Sequence, residues 1–352
     1  MADLLVLGAG LLGTSVGLAL SGVRDVVLSD EQPEVVERAV ARGAGRAWDG
    51  SEPADLVLAC VPPAAVGLAL ATAAHLGVGA TFSHVSSVQT AVAAELEALH
   101  PVPGAVCGGH PVAGSERSGP DAARADLFAG RPWAVCPGPS SSPAAVEAVT
   151  SLALDCGAEP RRMTPQEHDA ALALVSHLPQ VVSSALAARL LDATDAAALA
   201  GGGLRDTTRI AASDPLLWRE VLSLNAGPLV PLLRAVAGDL AGLAETLDGP
   251  AGSAAAEDLV RRGRRGRALV PVKREEVGSA FTWVAVSVPD RPGRLAELME
   301  VAAGAGVNVE DVRVEHVPGR PRGLVQLAVR VEAGQALASA LASGGHEVVA
   351  AD

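Results

Sequence analysis

His110 is the residue in this chain whose surroundings most clearly indicate chemistry. It lies in the segment GGHPVAGSERSG, residues 108–119, where four of twelve residues are glycine and a proline follows the histidine directly. Glycine loses more conformational freedom on folding than other residues, so such a loop indicates that the imidazole must be held in one place. Imidazole readily takes or gives a proton near neutral pH. The segment therefore predicts a histidine that acts as an acid or a base.

Gly8, Gly10 and Gly13 form a second pattern, with the G-x-G-x-x-G spacing of a dinucleotide-binding turn. The first glycine permits a tight turn, the second lets a diphosphate approach the backbone, and the third allows close packing of helix on strand. Leu11 and Leu12 lie between the last two glycines, where a helix is predicted to begin. Its free N–H groups would face the diphosphate.

Asp30 closes the next predicted strand, 17 residues after Gly13. A carboxylate at that point accepts both hydroxyls of a ribose and repels a 2′-phosphate, so the predicted cofactor is NAD rather than NADP. Arg24 precedes that strand and Arg38 lies a turn or more into the following helix, so neither is an obvious phosphate clamp. A histidine beside bound NAD can accept a hydroxyl proton while hydride leaves the same carbon.

Short apolar runs that alternate with helical stretches must position these residues. The runs predict strands at residues 3–10, 24–30, 54–62, 81–87, 104–110 and 132–138. This alternation predicts an α/β fold, a mostly parallel, doubly wound sheet of the Rossmann type. Cofactors bind at the carboxyl ends of such strands, so we expect Ser87 and His110 at that edge.

The sequence pattern changes at Thr164 from alternating strands and helices to helices. We therefore place the first predicted domain, the NAD-binding domain, at residues 1–163. Thr164 and Glu167 predict a helix start with a capping box. The pattern over residues 164–249 is almost entirely helical, apart from an interruption at residues 200–206. Its Ala- and Leu-rich helices are too apolar to lie exposed, so we predict a substrate-binding and dimerisation domain.

Two further segments complete the predicted organisation. Residues 250–279 are Gly-rich and basic, and they predict a linker, in part helical, whose arginines form a solvated charge run. Residues 280–352 alternate in the order βαββαβ, which predicts a ferredoxin-like domain.

Composition excludes several classes of protein. The chain of 352 residues is 49% hydrophobic and 19% charged, which predicts two or three folded domains. Its net charge of −13 disfavours a nucleic-acid partner. With no tyrosine, a single lysine (Lys273) and no P-loop motif, the chain lacks the residues that kinases and P-loop NTPases need.

The cysteines and the first residues of the chain predict where the protein works. The four cysteines form no C-x-x-C pair and predict reduced thiols in the cytoplasm. No histidine or cysteine cluster has the spacing of a metal site, so no metal is predicted. The apolar N-terminal stretch is broken by four glycines, which favours strand, turn and helix over a membrane span.

Six short segments resemble those of prephenate dehydrogenases with an appended ACT domain. Five of them, GLLGTS, SSVQ, GGHPVAGSE, VSHLPQ and GGGLRDTTRIAASDPLLW, occur in this order within residues 8–218, and VPDRPGRLAEL follows near the C-terminus. The resemblance implies an enzyme that uses NAD to decarboxylate prephenate oxidatively. The products would be 4-hydroxyphenylpyruvate and carbon dioxide, on the route to tyrosine. The resemblance also implies a homodimer.

The same resemblance implies roles for individual residues. His110 is then the catalytic histidine that contacts the ring hydroxyl of the substrate, and Ser87 orients that hydroxyl, the histidine and the nicotinamide. Arg209 binds a substrate carboxylate, for which a planar guanidinium is well suited. Ser115 and Glu116, in the same motif as His110, are further expected substrate contacts.

Two of the expected substrate contacts depart from the family pattern. Arg205 stands where many members have a lysine, and Gln180 stands where many have a histidine. His177 and Gln180 are three residues apart and share a helix face if the helix continues past Pro179. A neutral amide has no particular affinity for an ammonium group. The sequence therefore favours prephenate over arogenate, its amino analogue.

In the C-terminal domain the resemblance implies an amino-acid effector site, with tyrosine as the candidate effector. The expected contacts lie at the turn before the first helix and at the start of the next strand: Asp290, Pro292, Gly293 and Asn308. The alternative is that this domain only supports dimerisation.

Three other functions fit part of the sequence. β-Hydroxyacid dehydrogenases also join a Rossmann domain to a helical one, but they use a lysine on the first long helix of the second domain, and residues 165–190 contain none. A non-catalytic sensor of NAD and an amino acid would not need Ser87, His110 and Arg209 together. Arogenate dehydrogenase is the main alternative.

Overall fold

Two units make up the chain, Met1–Ala241 and Gly242–Asp352. Both are seen in a computed structural model, which describes residues 1–99, 105–114, 117–270, 281–316 and 321–351.

The first unit is built on an eight-stranded sheet. Its strands are β1 (Ala2–Leu7), β2 (Val26–Ser29), β3 (Arg46–Ala47), β4 (Ala54–Ala59), β5 (Gly79–His84), β6 (Val106–Pro111), β7 (Pro132–Cys136) and β8 (Glu159–Arg162). They lie in the order β3-β2-β1-β4-β5-β6-β7-β8. Neighbouring strands are parallel except β6 and β7, so β7 and β8 run against the other six. This is the doubly wound arrangement that the sequence predicts.

Apolar side chains on both faces of this sheet form the core. Five helices follow the strands: α1 (Leu11–Ala19), α2 (Pro33–Ala41), α3 (Pro63–His75), α4 (Thr90–Leu99) and α5 (Pro143–Asp155). Leu4 and Val6 of β1 pack into one cluster, and Leu5 between them packs into another. Strands covered on both faces carry continuous apolar runs, which is why the central strands are predictable from sequence.

Helices form the rest of the first unit. The segment begins with α6 (Pro165–Leu172), a π-helical turn (Ala173–His177) and α7 (Leu178–Ala188), and continues with α8 (Gly202–Thr208) and α9 (Pro215–Leu224). The next helix, α10 (Ala226–Thr246), starts in the first unit and ends five residues beyond its boundary. The predicted capping box is confirmed, since the Thr164 hydroxyl accepts from the Glu167 amide at 3.1 Å and Glu167 Oε2 accepts from the Thr164 amide at 2.8 Å. The predicted interruption at residues 200–206 is wrong in part, because α8 begins at Gly202.

Two of these helical segments are long and apolar. By length and composition alone, Pro165–Asp192 and Ala226–Thr246 could cross a membrane. In the described chain only 28% of the most apolar stretch of the first, and 6% of that of the second, is buried. Large apolar faces of these helices therefore lie exposed in the single chain.

The second unit contains α11 (Gly252–Arg267) and a four-stranded antiparallel sheet. The sheet and its helices are β9 (Phe281–Pro289), α12 (Arg294–Gly304), β10 (Asp311–His316), β11 (Arg322–Arg330), α13 (Val331–Ser343) and β12 (Glu347–Ala351). The strand order β10-β11-β9-β12 is that of a ferredoxin-like fold, as the sequence predicts. The segment predicted as a linker holds α11, while residues 271–279 of it lie outside the described residues.

Candidate active site

The glycine pattern forms the turn between β1 and α1. Gly8 has a φ of +99°, and a Cβ there would meet the carbonyl oxygen of Cys60 at 2.5 Å. At Gly13 a Cβ would meet the Gly8 carbonyl oxygen at 2.0 Å, so this glycine lets α1 pack on the turn. At Gly10, which caps α1, a Cβ would meet nothing within 4 Å. The open space in front of Gly10 is where a diphosphate would approach the backbone.

Leu11 and Leu12 are the first residues of α1 and pack in part against the core. Their amide groups belong to the first turn of the helix, where N–H groups have no intrahelical acceptor and the helix end is positive. They are thus placed to bind an anion through the backbone, while their side chains stabilise the turn.

Asp30 lies at the end of β2 and is tied to the glycine turn. One carboxylate oxygen accepts from the Ala9 amide at 2.8 Å and the other from the Gln32 amide at 3.0 Å. Arg24 donates to Ser151 at 2.8 Å, and Arg38 pairs with Asp121 at 3.0 Å, so both arginines are engaged elsewhere. The turn and its carboxylate therefore fit an unphosphorylated ribose and a diphosphate, which are the parts of NAD.

His110 lies in strand β6, which confirms the strand predicted at residues 104–110 and corrects the interpretation of the GGHP segment as a loop. It pairs with Ala134 of the antiparallel neighbour β7, and only 8% of it is exposed. The preceding glycines serve packing rather than flexibility. A Cβ at Gly108 would meet the Gln89 side chain at 2.3 Å, and one at Gly109 would meet Trp133 at 2.9 Å.

Ser87 lies in the turn that follows β5 and is half-buried. The Gln89 side chain holds this turn against β6, donating to the carbonyl oxygens of Ser86 at 2.7 Å and Gly109 at 3.1 Å. Because β5 and β6 are parallel neighbours, Ser87, which follows β5, and His110, in the last residues of β6, lie at the same edge of the sheet. This is the edge at which the dinucleotide turn also lies.

A chain of hydrogen bonds runs from His110 into the helical segment. Its Nδ1 lies 2.8 Å from Nε2 of His168, and Nδ1 of His168 lies 2.8 Å from Oδ1 of Asp169. His168 is fully buried. Burial lowers the pKa of His110 to about 3, with further lowering by His168, His177 and His84 and an opposing effect of Asp169. His110 is therefore neutral at physiological pH and has the capacity to accept a proton.

Asp169 connects several elements of the first unit. Its two carboxylate oxygens accept from the amides of Gln89 at 2.9 Å and Thr90 at 2.8 Å, at the start of α4. Burial alone would raise the pKa of this carboxyl, but the hydrogen bonds from His168, Gln89 and Thr90 outweigh burial and lower it. The carboxylate is ionised at neutral pH, and the positive end of α4 stabilises it.

His177 belongs to the same network, although it lies nine residues after His168. The Asn225 amide group donates to Nδ1 of His177 at 2.9 Å and to the carbonyl oxygen of Asp169 at 2.8 Å. On a regular helix the two histidines would lie half a turn apart, and the π-helical turn between them alters that phase. Burial lowers the pKa of His177 to about 4, so this ring is neutral as well.

A pocket of about 300 Å³ lies beside this network, and both Gln180 and Arg209 line it. The helix does continue past Pro179, so His177 and Gln180 are both buried on it, and the Gln180 amide donates to Ser184 at 3.3 Å. Trp218 also lines the pocket and packs edge-on against His177, with 5.9 Å between ring centroids. The pocket thus combines an apolar wall, a neutral amide and a cation.

The remaining predicted site residues are placed as follows. Arg205 is exposed on α8 and is not among the residues that line this pocket. Ser115 and Glu116 lie outside the described residues.

The predicted effector residues lie at the turn between β9 and α12 and beyond it. Gly293 caps α12 with a φ of +88°, so Asp290 and Pro292 precede the helix. Asn308 was expected to open the next strand, but β10 begins at Asp311. The Asn308 amide instead donates to Glu310 at 2.6 Å.

Sequence reasoning missed His168, Asp169 and Asn225 as parts of the site. The contact of His168 with His110 joins positions 58 residues apart, which no local spacing in the sequence indicates. The available signal was local: in the first turn of a capped helix, a histidine directly precedes a carboxylate.

Comparison with known proteins identifies the family. The model of the prephenate dehydrogenase nucleotide-binding domain matches residues 18–161, and that of the prephenate dehydrogenase dimerization domain matches residues 164–262. A probable prephenate dehydrogenase of Streptomyces niveus is 37% identical over 342 residues, which cover 94% of each chain.

Two solved structures are similar to most of this chain. Prephenate dehydrogenase from Aquifex aeolicus, in complex with hydroxyphenyl propionate and NAD+, has a TM-score of 0.68 and 26% identity, covering 77% of this chain and 99% of that one. Synechocystis arogenate dehydrogenase has a TM-score of 0.62 and 26% identity, covering 76% of this chain and all of that one. With a dinucleotide turn, a buried histidine and an arginine-lined pocket in one unit, the chain belongs to the prephenate dehydrogenase family.

Proposed function

We propose that this protein catalyses the NAD-dependent oxidative decarboxylation of prephenate to 4-hydroxyphenylpyruvate and carbon dioxide. The observation that carries the proposal is His110, a buried and neutral histidine at the carboxyl edge of the sheet. It is joined by hydrogen bonds to the helices that line a pocket with Arg209 and Gln180. Membership of the family and the NAD-type turn make the chain an NAD-dependent oxidoreductase.

The turn at Gly8, Gly10 and Gly13 would hold the diphosphate of NAD, and Asp30 would hold the ribose hydroxyls. The nicotinamide would supply the acceptor for a hydride from the carbinol carbon of the substrate, and the departing carboxylate would leave its electron pair to the new aromatic ring. Because aromatisation makes this step strongly downhill, the residues of this chain mainly align the substrate and handle its proton.

His110 and Ser87 act on the substrate hydroxyl. His110 accepts the hydroxyl proton as the carbon–hydrogen bond breaks, and Ser87 orients the hydroxyl toward it. The phenol product still carries that hydrogen, so His110 returns the proton and the cycle neither releases nor consumes one. Arg209 binds a carboxylate that stays in the product, because a tight grip on the departing one would oppose its loss.

Gln180 supports prephenate over arogenate as substrate. The two differ in the side chain, where prephenate has a keto group and arogenate an ammonium group. The buried Gln180 amide at the pocket carries no negative charge that would stabilise the ammonium. Arogenate dehydrogenase is the second candidate, favoured by the similarity to the Synechocystis enzyme.

Two proposals concern the whole protein. Exposed apolar residues on α7 and α9, such as Val182, Leu186 and Leu216, are covered by a second copy in a homodimer, in keeping with the name of the matched domain. A monomer in sedimentation at micromolar concentration would contradict this. The ferredoxin-like unit is an ACT domain that binds tyrosine. The expected cytoplasmic location stays a prediction, which cell fractionation would test.

A side-by-side assay tests the proposed reaction. Formation of NADH is followed with NAD plus either prephenate or arogenate, using wild type, His110→Asn and, as a matched control, His75→Asn at the exposed end of α3. We expect turnover of prephenate that falls about 10²- to 10⁴-fold in His110→Asn and is unchanged in His75→Asn, because asparagine does not accept the proton.

Other outcomes of that assay separate the alternatives. Activity with arogenate alone would keep the fold and overturn the interpretation of Gln180. Absence of turnover with both substrates, despite measured NAD binding, would favour a non-catalytic sensor.

A further inference from the structure

His110 is the first member of a buried chain of three side chains. His168 is fully buried and contacts His110 with one ring nitrogen and Asp169 with the other, each at 2.8 Å. The proposed reaction gives roles to His110 and Ser87 but none to His168 or Asp169. A buried pair that is hydrogen-bonded to a base can fix the tautomer and the orientation of that base.

The positions of the hydrogens follow from Asp169. Its ionised carboxylate can only accept, so the hydrogen between it and His168 lies on Nδ1 of His168. With its hydrogen on Nδ1, His168 presents the lone pair of Nε2, which accepts from Nδ1–H of His110. That leaves Nε2 of His110 unprotonated, which is the form that a base requires.

The carboxylate that sets this order is itself held in place. The amides of Gln89 and Thr90 donate to its two oxygens, so Asp169 cannot rotate without losing hydrogen bonds at the start of α4. The order of donors and acceptors from Asp169 through His168 to His110 is therefore fixed by backbone amides of the α/β sheet domain.

We propose that His168 and Asp169 are a positioning pair that fixes the tautomer of His110 and receives the proton that His110 takes from the substrate. This proposal rests on the proposed function for the identity of the proton donor. The tautomer order itself is a property of the protein without substrate.

The proton path balances over one cycle. The hydroxyl proton forms a bond to Nε2 of His110, and the Nδ1 proton of His110 moves to Nε2 of His168. Both transfers reverse when the phenolate oxygen of the product regains its proton. No proton is gained or lost, and no further reactant is needed.

The charges around His110 favour moving the proton on. The histidines His84, His168 and His177 lower the pKa of His110 electrostatically, and the Asp169 carboxylate opposes them. Burial disfavours a cation at His110. Transfer to His168 places the positive charge 2.8 Å from the Asp169 carboxylate, where it is stabilised directly.

Tautomers of the histidine rings give the first test. Long-range proton–nitrogen spectra of protein labelled in its histidine side chains separate Nδ1–H from Nε2–H rings, with His110→Asn and His168→Gln used for assignment. We expect the rings of His110 and His168 both to carry their hydrogen on Nδ1 in the protein without ligands. An Nε2–H tautomer at His110 would overturn the proposal.

Kinetics of His168→Gln give the second test, with His75→Gln as the matched control. Glutamine can still accept from Nδ1–H of His110, but it cannot take up the proton. We expect kcat to fall about a hundredfold with KM changed less than about threefold. The acid limb of the pH profile should also move to lower pH. In wild type it reports the proton that the two rings share, whereas in the variant it reports only the His110 ring, whose pKa is lowered by burial.

The two tests fail independently of the proposed reaction. If wild-type protein turns over neither substrate, the proposed function fails. The tautomer measurement needs no substrate, so it still decides whether Asp169 sets which ring nitrogens of His168 and His110 carry hydrogen. Wild-type kcat and an unshifted acid limb in His168→Gln would overturn the proton transfer to His168. A purely structural role for His168 would lower kcat without moving the acid limb, which also contradicts the proposal.

Discussion

Gln180 is the side chain through which substrate choice is most directly tested. It is 4% exposed, donates to Ser184 and lines the same pocket as Arg209. A charge placed at this position would lie in a poorly hydrated site, where electrostatic interactions are stronger than in water.

We expect Gln180→Glu to raise the ratio of kcat/KM for arogenate to that for prephenate by about tenfold, which corresponds to about 1.4 kcal/mol. The new carboxylate would attract the ammonium group of arogenate. Prephenate has a keto group in its place and so carries one more net negative charge, which the carboxylate would repel. Steady-state kinetics with both substrates measure the ratio. Gln180→Met, of similar volume and uncharged, is the control, and an equal ratio in the two variants would contradict the role of Gln180.

Sequence patterns find single residues of this site better than they find contacts. His110 and Arg209 stand in distinctive motifs, so their types and positions could be predicted. The bond between His110 and His168 could not be, because it depends on how α6 packs against β6 and not on any spacing. From the sequence alone His168 cannot be told from a structural histidine, because its contact with His110 exists only in the folded chain.

Among the secondary-structure elements, the turn between β1 and α1 separates two functions of glycine. The Cβ of an alanine at Gly13 would lie 2.0 Å from a backbone oxygen, whereas one at Gly10 would enter open space. The first glycine is needed by the fold and the second by the ligand.

We expect Gly10→Ala to keep the melting temperature within about 2 °C of wild type and to weaken NAD binding about tenfold or more, since the methyl group occupies the approach of the diphosphate. Gly13→Ala should instead lower the melting temperature by several degrees, through displacement of α1. Calorimetric titration with NAD and thermal unfolding measure both effects. Unaltered NAD binding in Gly10→Ala would show that the diphosphate does not approach there.

Elements with a strong pattern were predictable and edge elements were not. The capping box at Thr164 predicts the first residue of α6 correctly, and the apolar runs predict six of the strands. Strands β3 and β8 escaped because their sequences, RA and EPRR, contain no apolar run. Both lie at the edges of the sheet, where solvent replaces a neighbour and polar residues are tolerated.

For the whole molecule, the ferredoxin-like unit is the part whose function is least constrained by its fold, since the same topology serves many purposes. Its turn at Gly293 has a left-handed backbone that leaves the end of α12 open. The chain contains no tyrosine, so binding of this amino acid can be followed against a background of tryptophan alone.

On the proposal that this unit is an ACT domain with tyrosine bound at the turn that contains Asp290, we expect tyrosine to inhibit the oxidation of prephenate at concentrations below about one millimolar. The measurement is an inhibition curve on the full chain, with lysine as a control amino acid and Asp290→Ala expected to raise the half-inhibitory concentration about tenfold. No inhibition up to millimolar tyrosine would leave this unit with dimerisation as its role.

Asp169 connects the sheet domain and the helical segment. Its carboxylate accepts from the amides of Gln89 and Thr90 in the sheet domain, and its backbone carbonyl accepts from Asn225 in the helical segment. His110 is joined to the same carboxyl group through His168. If the helical segment were to rotate against the sheet about this point, atoms near Asp169 would move least and the outer wall of the pocket would move most. The base would then keep its place beside the sheet while the pocket changed its width.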